Sequence, residues 1–218
     1  MAEALGPRSS LKLFRPAVAA ALLALAPFAA FAQAVSPPAA DDMTLGSSRA
    51  KVTVIEYASA SCPHCARFNN DVFPAFKAKY VDTGKVRYVF REFLTAPEAL
   101  AQAVFLEARC AGKSKYFSVV DAAFHAQAHI YETGDLRTPL FDIGKAAGLT
   151  EDQLTACLSD DGANRALNAR VQGYVDHDKI ESTPTFVIND RRLVGEQTLE
   201  ALDAAIAQAR HPKRKSKR

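Results

Sequence analysis

Two cysteines with two residues between them, Cys62-Pro63-His64-Cys65, stand where a strand-like run gives way to a helix-like one. The run before them, Val52-Thr53-Val54-Ile55-Glu56-Tyr57, is apolar and rich in β-branched residues, as a buried strand requires. After them Phe68, Val72, Phe73 and Phe76 recur at helical spacing. Cys62 therefore falls at the mouth of a helix, where unpaired backbone N–H groups and the macrodipole favour an anion. A thiolate is the anion that thiol–disulfide exchange uses. The spacing alone also describes half of a zinc site. The order strand, CxxC, helix is what favours redox chemistry, and a tetrahedral zinc site would need two further ligands that His125, His129 and His177 do not supply as a compact pair.

The first residues read as an export signal. Arg8, Lys12 and Arg15 precede an apolar run from Ala17 to Ala32, and Ala30-Phe31-Ala32 or Ala32-Gln33-Ala34 offers a small-x-small cleavage site. The run is shorter than the ~20 apolar residues of a membrane span. No cysteine follows it before Cys62, which argues against a lipid anchor, and no twin-Arg pair precedes it, which favours export before folding. Export to the periplasm puts all four cysteines in an oxidising compartment where disulfides persist.

Charge excludes little. The chain carries a formal +3, but the leader and the last stretch, Lys213-Arg214-Lys215-Ser216-Lys217-Arg218, hold the basic excess, so the body between them is acidic. An exported protein rarely meets nucleic acid, and the tail reads as a frayed, solubilising end.

The pattern divides into a signal peptide over 1–32, a linker over 33–48, a domain over 49–210 and a basic tail over 211–218. A short strand is expected at Met43 to Leu45, strands at Lys51 to Tyr57 and Val86 to Phe93, and a helix from Cys62 to about Tyr80 between them. Strand–helix–strand at this spacing is a βαβ unit. From about 96 to 179 the pattern is helical: about 97 to 111, Lys115 to Gln127, Leu136 to Ala147, a capping box at Thr150-Glu151-Asp152-Gln153, and about Gly162 to Asp176. Strands return at Thr185 to Ile188 and Arg192 to Val194, with a last helix from Thr198 to Ala209. A helical block between two halves of one sheet reads as an insertion.

Cys62-Pro63-His64-Cys65 after a strand, the helical block, and Thr183-Pro184-Thr185-Phe186 opening a later strand together resemble the DsbA family of thioredoxin-fold thiol–disulfide oxidoreductases. The likeness runs from about Leu45 to Ala209. It implies an α/β thioredoxin fold, a central mixed sheet flanked by helices, with an inserted helical subdomain. It implies Cys62 as nucleophile and leaving group, most exposed of the pair, with Cys65 as the resolving thiol of a redox-active disulfide. His64 is then expected to face the Cys62 thiolate and stabilise it. Pro184 is expected to be cis, with the Thr183 backbone offered to an extended substrate. Glu56 is expected to lie buried near the motif and relay a proton to Cys65, or else to be a solvent-facing strand residue. Cys110 and Cys157 are candidates for a second, structural disulfide, two buried free thiols being the alternative.

The implied activity is that of an exported dithiol oxidase acting as a monomer on reduced exported polypeptides. Its implied reoxidant is a membrane partner of DsbB or vitamin-K-epoxide-reductase-like type. No cofactor and no metal are called for, since the cysteines carry the electrons. A disulfide isomerase or reductase on the same fold, and a non-catalytic peptide-binding chaperone, are the competing readings.

Overall fold

The computed structural model describes residues 35–211. The expected signal peptide with its cleavage site, and the tail beyond His211, lie outside the described residues. Five strands form one mixed sheet in the order β1 (Met43–Gly46), β3 (Val86–Glu92), β2 (Val52–Ala58), β4 (Thr185–Ile188), β5 (Arg191–Val194). β2 and β3 run parallel, with Val54 beside Tyr88 and Glu56 beside Phe90; the other three pairings are antiparallel. The parallel pair is joined by a helical crossover, the usual way of connecting parallel neighbours.

That crossover is not the uninterrupted helix expected from Cys62 to Tyr80. α1 (Pro63–Arg67) passes into a π-helical turn (Phe68–Val72), then α2 (Phe73–Phe76), then a second π turn (Lys77–Val81). Pro74 has no N–H to donate to the preceding turn and its ring crowds that turn's carbonyl, so the backbone widens around it. The helical block is α3 (Glu98–Cys110), α4 (Tyr116–Thr133), α5 (Arg137–Ala147), α6 (Glu151–Leu158) and α7 (Asp161–Asp176), and α8 (Leu199–Arg210) is the last element among the described residues. The Thr150–Gln153 capping box forms with both of its reciprocal hydrogen bonds. α4 continues beyond the expected end at Gln127 to Thr133, where Gly134 at φ 71° ends it.

Strand alternation decides which side chains share a face. Val52, Val54, Tyr88, Phe90, Phe186 and Ile188 pack into the main core with Cys65, Phe68 and Phe76 from the crossover helix and Val104, Phe105, Val120 and Phe124 from α3 and α4. The opposite face buries Ile55, Tyr57, Val89 and Val187 with Ile180 in a smaller cluster.

The stretch expected as a linker over 33–48 is, over its described residues, part of the folded body. β1 adds an edge strand to β3, and the segment before it is held by a buried cation. Arg91 is 2% exposed and donates to Asp42 Oδ2 (3.1 Å), Asp178 Oδ2 (3.0 Å), the Tyr57 hydroxyl (2.7 Å) and the carbonyls of Ser36 (2.9 Å) and Pro37 (3.0 Å). Ser36 returns two hydrogen bonds of 2.6 Å to Asp178 Oδ1. A buried guanidinium requires paired carboxylates, and Asp42 on one side and Asp178 on the other supply them.

Candidate active site

β2 ends at Ala58 and the chain reaches α1 through Ser59 to Cys62, a short crossing braced on several sides. Cys62 N–H donates to Ser59 O (3.0 Å), Thr95 N–H to Ser59 Oγ (3.2 Å) and Ser61 Oγ to Thr95 O (2.7 Å). Cys62 becomes the N-cap of α1, at φ −86° and ψ 118°, with Pro63 in the first turn where its missing N–H removes no helical bond.

Both thiols of the motif are unpaired in this structure, which therefore presents the dithiol state. The Cys62 thiol is lowered to about 5: a hydrogen bond from the Cys65 thiol contributes most, burial opposes it, and Thr183 and the backbone N–H groups of Cys65 and His64 add to the lowering. The Cys65 thiol is pushed the other way, chiefly by burial, then by the neighbouring Cys62 and by Glu56. Of two thiols a single turn apart, one is ionised at neutral pH and the other is not.

Cys62 is the more exposed of the pair, as expected, at 8% accessible against 0% for Cys65. One expectation needs correction. The His64 imidazole does not engage the Cys62 sulfur. Its Nδ1 lies 3.3 Å from Glu196 Oε2 and contacts Arg67, whose guanidinium shares the same carboxylate oxygen at 2.9 Å. The Glu196 carboxylate draws the ring aside, and the group of His64 that reaches the sulfur is its backbone N–H.

The Thr183–Pro184 peptide bond is cis. The Cys62 thiol lies 3.4 Å from the Thr183 carbonyl, to which it donates. That carbonyl is thus occupied in the dithiol state, and a sulfur without its proton releases it. The Thr183 hydroxyl is buried with no hydrogen-bond partner among the described residues, so it is free to donate to the sulfur once that atom ionises.

Glu56 is buried on the sheet face that carries the motif, and accepts a hydrogen bond from the Tyr88 hydroxyl. Burial pushes its carboxyl up to about 8, the Tyr88 bond works against this, and charge on Cys62 adds to it. The solvent-facing alternative is excluded. Cys110 and Cys157 are disulfide-bonded, their Cα atoms 6.2 Å apart, tying the last residue of α3 to α6. Among the described residues no cluster of His, Cys, Asp or Glu is arranged to hold a metal ion.

Three residues of the site are absent from the sequence reading. Tyr88 stands diagonally across from Glu56 on the same face, a placement that the parity of the two strands encodes once their register is known. Gln127 and Tyr131 lie on α4, and Tyr131 belongs to the turn of that helix not expected from periodicity. Gln127 donates to the carbonyls of Ala60 (2.7 Å) and Cys62 (3.3 Å), and the Tyr131 hydroxyl donates to that of Ser61.

The family described as Thioredoxin matches residues 39–208. A Rickettsia bellii protein that carries the provisional name protein-disulfide oxidoreductase is 35% identical over 174 residues, 78% of this chain and 64% of that relative. A Rickettsia conorii protein named in the same way is 31% identical over 170 residues, covering 78% of this chain and 60% of its own. The chain thus spans less than two thirds of these curated relatives. The crystal structure of Wolbachia pipientis alpha-DsbA1 superposes with a TM-score of 0.72 at 28% identity, covering 79% of this chain and 92% of that one. By motif, fold and relatives, this chain belongs to the DsbA-like family of thioredoxin-fold thiol–disulfide oxidoreductases.

Proposed function

We propose that this protein is an exported dithiol oxidase that gives its Cys62–Cys65 disulfide to the thiols of newly exported polypeptides. In the oxidised state a substrate thiolate attacks Cys62 Sγ. A substrate–Cys62 disulfide forms as the Cys62–Cys65 bond breaks, and Cys65 leaves and takes up a proton. A second substrate thiolate then attacks the substrate sulfur of this mixed disulfide, and Cys62 leaves as a thiolate. The substrate loses two electrons and the enzyme gains them. Glu56, buried on the same sheet face with its carboxyl pushed up to about 8, is the group we assign to supply the proton that Cys65 takes.

The observation that carries the reading is the opposite displacement of the two thiols. A stabilised Cys62 thiolate is a good leaving group and stabilises the dithiol form, which makes the disulfide oxidising. The cis Thr183–Pro184 segment beside Cys62 supports a place for an extended substrate backbone. The basic leader and apolar run favour the periplasm as the site of action. Turnover needs an electron acceptor, and a membrane reoxidase of DsbB or vitamin-K-epoxide-reductase-like type fits that need.

The test is oxidation of a reduced peptide with two cysteines by stoichiometric oxidised protein, wild type against Cys62→Ser. Wild type is expected to oxidise the peptide and the variant not to; equal activity overturns the reading. Equilibration with glutathione separates oxidase from isomerase or reductase, an oxidase showing a potential near the oxidising end of the family range, about −120 mV, and not near the −270 mV of thioredoxin.

A further inference from the structure

The helical insertion reaches into the approach to α1 at one place. Three successive carbonyls ahead of the reactive sulfur, those of Ala60, Ser61 and Cys62, are each held by a side chain of α4, and the two residues that hold them are one helical turn apart. Gln127 is buried at 3% exposure, so its amide is committed to these carbonyls, whereas Tyr131 is 42% exposed with only its hydroxyl turned inward. Each carbonyl belongs to a peptide plane. Fixing the three fixes the planes 60–61, 61–62 and 62–63, the last three on the path from the sheet to the first residue of α1.

The last of these planes is the informative one. Pro63 has no N–H, so the plane between Cys62 and Pro63 offers only its carbonyl as a handle. Ala66 N–H takes that carbonyl at 3.1 Å in the first helical bond, and the Gln127 amide takes it from outside the helix at 3.3 Å. The carbonyl dipoles point toward α4, and the N–H groups of His64 and Cys65 point toward the sulfur.

We propose that Gln127 and Tyr131 are positioning residues that lock the three peptide planes before α1 and thereby hold the backbone donors on the Cys62 sulfur. The insertion is then part of the device that sets the thiol, and its packing against the thioredoxin core is read out at Cys62. Without the amide, the carbonyls of Ala60 and Cys62 lose their donor from α4. The crossing loop is then free to turn their negative ends toward the sulfur, against a thiolate. This inference rests on Cys62 being the ionised thiol, and the experiment separates the two claims.

The reduced protein is titrated by the thiolate absorbance near 240 nm and by the pH dependence of its alkylation rate, for wild type, Gln127→Leu and Tyr131→Phe, with Tm recorded for each. A wild-type titration at the ordinary thiol value overturns the reading of Cys62 itself. With a low wild-type midpoint, Gln127→Leu is expected to raise it by about one unit or more, a roughly tenfold loss of thiolate at pH values below the midpoint. Tyr131→Phe, which keeps the ring and removes one donor at a half-exposed position, is expected to raise it by a smaller amount with little change in Tm. A fall in Tm for Gln127→Leu with both midpoints unmoved assigns the pair a structural role only and overturns the proposal. If Gln127→Leu does not fold, Tyr131→Phe decides: an unmoved midpoint there has the same force.

Discussion

The Tyr88 hydroxyl donates to Glu56 Oε2 on the face of the sheet below the cysteine motif, and neither residue reaches solvent. The carboxyl there is held protonated up to about 8, against an ordinary 4.5. Between those values the unfolded chain has lost this proton and the folded chain has not, so stability falls as pH rises from about 4.5 to about 8. At about 1.36 kcal/mol per unit, the loss is a few kcal/mol and at most about 5. Glu107 is also buried, both of its oxygens lack partners among the described residues, and burial raises it to about 8 as well, so it acts in the same window. Glu56→Gln or Glu107→Gln is each expected to flatten part of the decline in unfolding free energy between pH 5 and pH 8, and the double variant most of it. A wild-type curve without that decline contradicts the assignment.

Cys62 carries the opposite sign. Its folded value of about 5 lies below its ordinary 9, so the reduced protein gains stability above pH 5, in full by pH 9, and loses it as pH falls back through 5. The oxidised protein has no such group. The Tm of the reduced form relative to the oxidised form is therefore expected to rise between pH 4.5 and pH 8. Calorimetry on both forms across that range is the measurement, and a constant difference refutes the low thiol.

Arg91 holds the N-terminal segment to the sheet through Asp42 and Asp178, all three side chains buried. Arg91→Met leaves two buried carboxylates facing no cation, and removing one partner of such a pair costs about 3–5 kcal/mol. Urea unfolding should show that loss. Limited proteolysis should show cleavage within 35–42, because the carbonyls of Ser36 and Pro37 lose the donor that holds them.

The Cys110–Cys157 disulfide closes a loop of sequence separation 47. Chain entropy alone assigns such a cross-link about 4 kcal/mol. The Cys110→Ser/Cys157→Ser double variant is expected to lose up to that amount in denaturant unfolding while retaining peptide oxidation. Alkylation and mass measurement of oxidised wild-type protein should find no free thiol, and two free thiols would remove the pairing.

Much of the fold is legible because its signals are local. The β-branched run at Val52 to Tyr57, the Thr150–Gln153 capping box and the glycines after α4 and α5 each state an element or its end within a few residues. The two thiols and the Thr183-Pro184 pair are legible for the same reason, since their spacing or neighbour is the signal. The π turns around Pro74 and the last turns of α4 are not, because widening a helix at a proline or prolonging one past its apolar stripe depends on what packs against it. The segment before β1 looks like a linker because its anchor, Arg91, is far off in sequence and has no reason to be buried until Asp42 and Asp178 meet it.

Which atoms can react is legible in the linear order of residues alone. Two thiols at the mouth of a helix, after a buried strand and before a later Thr-Pro pair, leave little else for this chain to do. How far apart the two thiols titrate, and what holds them so, is set by the folded chain. Those effects come from burial, from the Thr183 carbonyl and hydroxyl, from Glu56 with Tyr88, and from Gln127 and Tyr131 reaching across from α4. Each is a contact between residues tens of positions apart, and electrostatics inside a protein depends on distance and solvent exclusion, which no linear spacing encodes.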